Sequence, residues 1–237
     1  MTAAAVLDLL FPRACVACES AMPDGIMCGV CWSRLATLPA PRCERCGHPG
    51  LGDACAYCAA FPPWVRAVRS VCWVPDRAGS AAVAALKYEG WTAIADAMAL
   101  RMSRVTWPGD VVRERTALVP VPLARSRERE RGYNQSALLS RALALRLRLP
   151  AWEDVVVRDR STVTQTRLTP SERSMNVHHA FRVNDAARAR LVGAHLILVD
   201  DVLTTGSTLN AAAGALFDAG ARIISYLTFG RARTAAD

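Results

Sequence analysis

The sequence predicts an α/β fold: a mainly parallel sheet with helices on both faces, preceded by a small metal-stapled module. Three observations carry this. From Trp64 onward, strand-like apolar runs alternate with helical stretches, the order that puts crossover helices between parallel strands. Leu196 to Val199 is a run of four apolar residues without polar alternation, as in a strand buried on both faces. Eight of the nine cysteines fall in four CxxC pairs within the first quarter of the chain, a spacing suited to metal ligation.

A chain of 237 residues has room for one large domain or for a small and a medium one. With 52% hydrophobic and 21% charged residues, it has enough apolar mass for a sizeable core, which excludes disorder. No apolar run approaches the roughly 20 residues that cross a bilayer. Met1 to Phe11 is apolar but carries Asp8 and no early Lys or Arg, and it ends at Pro12. This start reads as a short docking helix and not as a signal peptide, so the expected location is the cytoplasm.

The formal charge of +8 suggests a nucleic-acid partner less strongly than it first suggests. Four thiolates on one zinc carry −4 + 2 = −2, and two such sites lower +8 to about +4. Nearly all the cations are arginines, Lys87 being the only lysine.

The CxxC pairs are Cys15/Cys18, Cys28/Cys31, Cys43/Cys46 and Cys55/Cys58, with 9, 11 and 8 residues between successive pairs. Each pair presents two thiolates to one ion. Neighbouring pairs would make one tetrahedral zinc site from Cys15, Cys18, Cys28 and Cys31, and a second from Cys43, Cys46, Cys55 and Cys58. A cross-braced pairing of first with third and second with fourth satisfies the same spacing, so connectivity stays open at this stage. His48 reads as a surface residue of a knuckle, and Cys72, alone in Val71-Cys72-Trp73-Val74, as a core residue. The module, residues 1–63, contains little that builds an apolar core, so metal must supply its folding energy. Phe61-Pro62-Pro63 marks its boundary with the second domain, residues 64–237.

In that domain Val65 to Val74 reads as a strand at an edge. Ala78 to Leu86 and Ala93 to Val105 read as helices. Leu118 to Pro122 is an apolar strand whose prolines belong at its end. Arg125 to Arg131 is expected to be a loop, followed by an amphipathic helix from Ser136 to Leu149. Trp152 to Val157 reads as a further strand, and Arg158 to His179, polar and rich in Thr, Ser and Gln around Ser161 to Ser174, as a lid. His178 and His179 are expected to be ordinary polar residues at the base of that lid. Phe181 to Val183, Leu196 to Val199 and Ile223 to Phe229 complete the strands. Few residues follow the last of them, so a hood over an acceptor is expected to be small or missing.

The chemistry concentrates after Leu196–Val199. Asp200 and Asp201 are followed by Thr204, Thr205, Gly206, Ser207 and Thr208, and then by an Ala-rich helix from Leu209 to Ala219. Strand, small-residue turn and helix N-terminus create an anion site, because the first amides of the helix lack partners and its dipole favours phosphate. The hydroxyls add donors, and Gly206 allows close approach. Two acids beside a phosphate need another purpose: holding a diol, directly or through a magnesium ion. A sugar 5-phosphate satisfies both halves.

This segment resembles the phosphoribosyl-pyrophosphate (PRPP) loop of type I phosphoribosyltransferases. The chain as a whole resembles the ComF family through its cysteine module, Lys87-Tyr88, Val119-Pro120-Val121-Pro122-Leu123, Arg131-Gly132-Tyr133-Asn134-Gln135, Thr164-Gln165-Thr166, Arg173 with Asn176, and Asp200 to Thr208. The resemblance implies a type I phosphoribosyltransferase-like sheet behind a double zinc ribbon. It also implies structural zinc, magnesium arriving with PRPP, and a role in natural competence and DNA uptake. Asp200 and Asp201 would be the catalytic acids. Arg131, Asn134 and Gln135 would join Thr204 to Thr208 in binding PRPP. Two functions compete: magnesium-dependent phosphoribosyl transfer to an acceptor, and non-catalytic PRPP or nucleotide binding coupled to handling of single-stranded DNA or to the competence machinery.

Overall fold

The computed structural model describes residues 13–50, 55–158 and 180–233. The expected N-terminal docking helix and all of the expected lid after Arg158, with Thr164 to Thr166, Arg173, Asn176, His178 and His179, lie outside them. Four parallel strands form the main sheet: β1 (Val65–Val74), β2 (Arg115–Pro120), β5 (His195–Leu203) and β6 (Ile223–Ala232), in the order β1-β6-β5-β2. One face is covered by α2 (Arg77–Lys87), α3 (Ile94–Met102) and α6 (Gln135–Leu147), whose apolar residues pack with Ile197, Val199, Leu227 and Phe229. On the other face α8 (Ser207–Asp218) packs with Val65, Val68, Leu196, Leu198 and Tyr226. Helices therefore lie on both faces, as the unalternating apolar runs require.

β1 is an edge strand, as expected, yet it is almost wholly buried. The cysteine module covers its free edge: Trp73 donates to the Ala36 carbonyl (2.8 Å), and Val68 to that of Arg45 (2.8 Å). Covering an edge in this way satisfies the ladder groups that would otherwise face another chain. At Gly47, with φ +67°, a Cβ would lie 2.3 Å from the Val68 carbonyl oxygen, so only glycine permits the approach.

Five expectations need correction. Arg125 to Arg131 is a helix, α5, and not a loop. Arginine and glutamate are good helix formers, and Gly132 at φ +83° ends the turn. Trp152 to Val157 does not join the main sheet as a strand. Only Ala151 bridges to Leu118, while β3 (Val156–Arg158) pairs antiparallel with β4 (Phe181–Val183) in a separate two-stranded sheet near α8. The strand carrying the acids continues past Val199 to Leu203, with Asp200 opposite Thr228 and Val202 opposite Gly230. Backbone pairing with β6 carries the strand through the charged residues. His48 is buried, stacked on Tyr57 with ring centroids 3.4 Å apart and edge-on to Trp73, because the knuckle that bears it is docked on β1. The module's apolar residues also do more than expected: Met27 and Leu35 join the core on one face of the sheet and Phe61 joins the other.

Candidate functional site

At the carboxyl end of β5 the two aspartates occupy unequal environments. Asp201 is 2% exposed; it is ion-paired with Lys87 Nζ and accepts from Gln135 Nε2 (3.3 Å). Gln135 in turn accepts from Arg131 Nη1. Lys87, Asp201, Gln135 and Arg131 thus form one chain of charge-assisted contacts running from the end of α2 to the end of α5. Asp200 is half-buried, and its Oδ1 accepts from Ser136 Oγ (2.8 Å) and from the Asp201 amide (2.9 Å). Burial, followed by the charge of Asp201, pushes the Asp200 carboxyl up to about 8. It is the acid that a cation or a diol would relieve.

Asn134 is the N-cap of α6. Its Oδ1 accepts from the Ser136 amide (2.9 Å) and its Nδ2 donates to the Val121 carbonyl (3.1 Å). Both ends of this amide serve the fold, whereas Gln135 meets Asp201 and Arg131 meets Gln135. Sequence reasoning did not assign Ser136 or Lys87 to the site. The signal for Lys87 was present: it is the only lysine in a chain whose other cations are arginines. Arg158, expected as the first residue of the lid, ends β3 and lines a cavity with Asn134. Burial lowers its pKa, and it feels the charges of both Arg127 and Asp200.

The hydroxyl loop lies beyond Leu203. Thr204, Thr205 and Ser207 are exposed, while Gly206 is buried at φ +81° as N-cap of α8. Thr205 Oγ1 lies 2.8 Å from Ser207 Oγ, and Asn210 N donates to the Gly206 carbonyl (2.8 Å). Thr208, in the first turn of α8, is half-buried. Two cavities are lined by the cations and amides named above, and neither lining includes the loop. One of about 620 Å³ is walled by Lys87, Tyr88, Arg127, Arg131 and Tyr133. The other, of about 360 Å³, lies between Pro120, Asn134, Val156 and Arg158. Acids, cations and hydroxyls therefore converge where open α/β sheets bind ligands, outside the carboxyl ends of the strands.

The cysteines resolve into sequential clusters. The sulfurs of Cys15, Cys18, Cys28 and Cys31 lie within 4.8 Å of one another, and so do those of Cys43, Cys46, Cys55 and Cys58. Cys18–Cys28, Cys43–Cys58 and Cys46–Cys55 are 3.8, 3.5 and 3.4 Å apart. A tetrahedral ion with Zn–S bonds of about 2.3 Å requires sulfurs about 3.8 Å apart, so both clusters fit zinc. Within the first cluster the Ser20 hydroxyl draws Cys18 down to about 6, while burial pushes Cys31 up to about 12. A divalent cation would level that split by stabilising all four thiolates together.

Comparison with known proteins agrees with both halves of this geometry. Residues 6–62 match the double zinc ribbon domain, and residues 134–237 match the phosphoribosyl transferase domain. "DNA utilization protein YhgH" of Escherichia coli strain K12 is 32% identical over 228 residues, covering 91% of this chain and 96% of the relative. "Competence protein ComFC" of Bacillus subtilis is 29% identical over 205 residues, covering 84% and 80%. "Competence protein F" of Haemophilus influenzae is 39% identical over 94 residues, covering 40% and 41%. The molecule is a zinc-ribbon protein with a phosphoribosyltransferase domain. The chain belongs to the ComF family, and its zinc is structural. Among the described residues no helix is long and apolar enough to cross a membrane.

Proposed function

We propose that the protein binds PRPP and transfers its phosphoribosyl group, with magnesium, to an acceptor used in DNA uptake or utilisation in the cytoplasm. The observation that carries the reading is the hydroxyl loop Thr204–Thr208, with Thr204, Thr205 and Ser207 exposed, which opens a helix directly after the strand that carries a half-buried Asp200 near its end. The amides and hydroxyls of that loop suit a 5-phosphate. Asp200 suits the ribose diol or a magnesium ion carried by the pyrophosphate. Asp201 acts through Lys87 and Gln135 as a positioning acid, and Arg131 faces the leaving pyrophosphate. In the transfer the C1–pyrophosphate bond breaks through an oxocarbenium-like state, the acceptor heteroatom bonds to C1, and the acceptor's proton leaves. The chain contributes positioning and charge neutralisation, with no covalent nucleophile.

Calorimetry with PRPP, with and without magnesium, tests the donor site. Asp200→Asn should weaken magnesium-dependent binding at least tenfold, about 1.4 kcal/mol, while the fold stays intact. Asp201→Asn should instead lower the melting temperature, because it leaves the half-buried Lys87 without its charge partner. If Asp200→Asn binds PRPP as the wild type does, the assignment is wrong. A pyrophosphate-release screen across nucleobases and nucleic acids then tests turnover.

The exposed arginines of α5, Arg125, Arg127 and Arg129, favour a second reading in which the protein also handles single-stranded DNA. That binding should weaken steeply with salt. Absence of salt-dependent retention of an oligonucleotide would remove it.

A further inference from the structure

The second cysteine cluster and the hydroxyl loop share a wall. Ala60 and Phe61 follow the cluster's last ligand, Cys58, by two and three residues. The Ala60 carbonyl accepts from Asn210 Nδ2 (2.8 Å), and Asn210 Oδ1 accepts from the Tyr226 hydroxyl (3.0 Å). The backbone amide of the same Asn210 donates to the Gly206 carbonyl (2.8 Å). Phe61 is 6% exposed and lies against the loop: a Cβ at Gly206 would touch its Cε1 at 3.4 Å. It also meets the Tyr226 ring edge-on, with centroids 6.0 Å apart.

The other end of the loop is tied to the same cluster. Leu203, the last residue of β5, pairs in register with Arg231. Arg231 is 6% exposed and donates to the carbonyl of the ligand Cys46 (2.6 Å). Arg45, between Cys43 and Cys46, closes the frame by donating to the carbonyls of Cys58 (3.3 Å), Phe61 (2.9 Å) and Pro62 (2.6 Å). Thr204–Thr208 is thus framed on one side by Leu203, Arg231 and Cys46, and on the other by Asn210, Ala60 and Cys58. Cys46 and Cys58 belong to the same four-sulfur cluster. The first cluster sends its contacts elsewhere, to the α2 face, where Arg77 Nε donates to the Ala17 carbonyl (2.8 Å).

We infer that the second zinc centre holds the hydroxyl loop in its anion-binding shape, with Asn210 as the positioning residue that joins the two. The loop amides point usefully at a phosphate only while the Ala60–Phe61 wall stands, and that wall stands on Cys58 and its zinc. Loss or oxidation of this cluster would then weaken ligand binding at a distance, whereas disturbing the first knuckle would not. Coupling of this kind is reciprocal: a phosphate ligand in the loop raises the zinc affinity of the second site by the same factor. The ligand half of the inference rests on the proposed PRPP reading; the loop half does not.

Full-length protein tests it in two arms. Hydrogen exchange over residues 203–210 is compared in the wild type, Asn210→Ala and Arg77→Ala, with zinc content measured in each. Asn210→Ala should keep both zinc ions, yet its loop amides should exchange about tenfold faster and PRPP should bind about tenfold more weakly, the scale of the two side-chain hydrogen bonds lost together. Arg77→Ala should leave both quantities as in the wild type. In the second arm, chelator competition with and without PRPP should show one zinc held about tenfold more tightly and the other unaffected. Unchanged loop exchange in Asn210→Ala, or equal tightening of both zinc ions, overturns the inference. If Asn210→Ala does not fold, Tyr226→Phe deletes one hydroxyl of the same link and should move loop exchange in the same direction; no movement there overturns it equally. If the wild type does not bind PRPP, the functional reading falls and the exchange arm decides the coupling alone.

Discussion

Cys15, Cys18, Cys28 and Cys31 pack with α2 and α3 on one face of the sheet, whereas Cys43, Cys46, Cys55 and Cys58 pack with α8 on the other. The spacing of the two sets is nearly the same, but their surroundings differ. The first is attached mainly through apolar contacts of Met27, Cys31 and Leu35. The second is clamped by three arginines that spend their donors on carbonyls. Arg45 holds the segment after Cys58, Arg231 holds Cys46, and Arg69 donates to Glu44 (2.8 Å) and Thr106 (2.7 Å). Arg66 adds an ionic bridge from Glu44 to Asp110 at 2.6 Å on each side. The difference teaches that a repeated ligand motif need not have a repeated role. Position relative to the sheet decides what each zinc centre packs against: α2 and α3 for the first, α8 for the second.

Removing one ligand from each cluster is the strongest way to break that comparison. Cys31→Ser and Cys46→Ser should each reduce the zinc content from two ions to one. Cys46→Ser should lower the melting temperature more, by roughly 10 °C for a loss of about 4 kcal/mol, and should do so across the whole domain, since Cys46 belongs to the core beneath α8. Equal shifts for the two variants would erase the distinction. A smaller change isolates docking from metal binding. Gly47→Ala pushes a Cβ toward the Val68 carbonyl at a positive φ and should cost about 2 kcal/mol with both zinc ions retained; denaturant unfolding measures it. The least effect is expected from Arg77→Ala, whose exposed guanidinium makes one bond to the first knuckle. It should cost under about 1 kcal/mol, and a larger loss would mean that the first knuckle is held as firmly as the second.

Much of this architecture was legible because its signals are local. CxxC spacing, the apolar run into Asp200, the Thr and Ser turn and the Ala-rich helix each lie within a few residues, where period and propensity decide the outcome. What was illegible depends on distant partners. An arginine that clamps carbonyls, such as Arg45 or Arg231, looks in sequence like any solvated arginine. His48 reads as exposed until β1 is placed beneath it. Arg125 to Arg131 differs in kind: its charge density reads as a solvated loop, yet its residues are good helix formers closed by Gly132.

The candidate site divides in the same way. Residue types and order alone supplied the proposal for the ligand's chemistry, since hydroxyls at a helix start and carboxylates near a strand end suit few partners. Only the tertiary structure separated Asp200 from Asp201, by bringing Lys87 and Gln135 onto one and leaving Ser136 to the other. It alone chose sequential over cross-braced cysteine clusters, and it alone set the second cluster against the hydroxyl loop. Local sequence determines which groups are available and the backbone they ride on. Their protonation, pairing and purpose depend on neighbours far away in the chain, brought close by the packing of apolar faces.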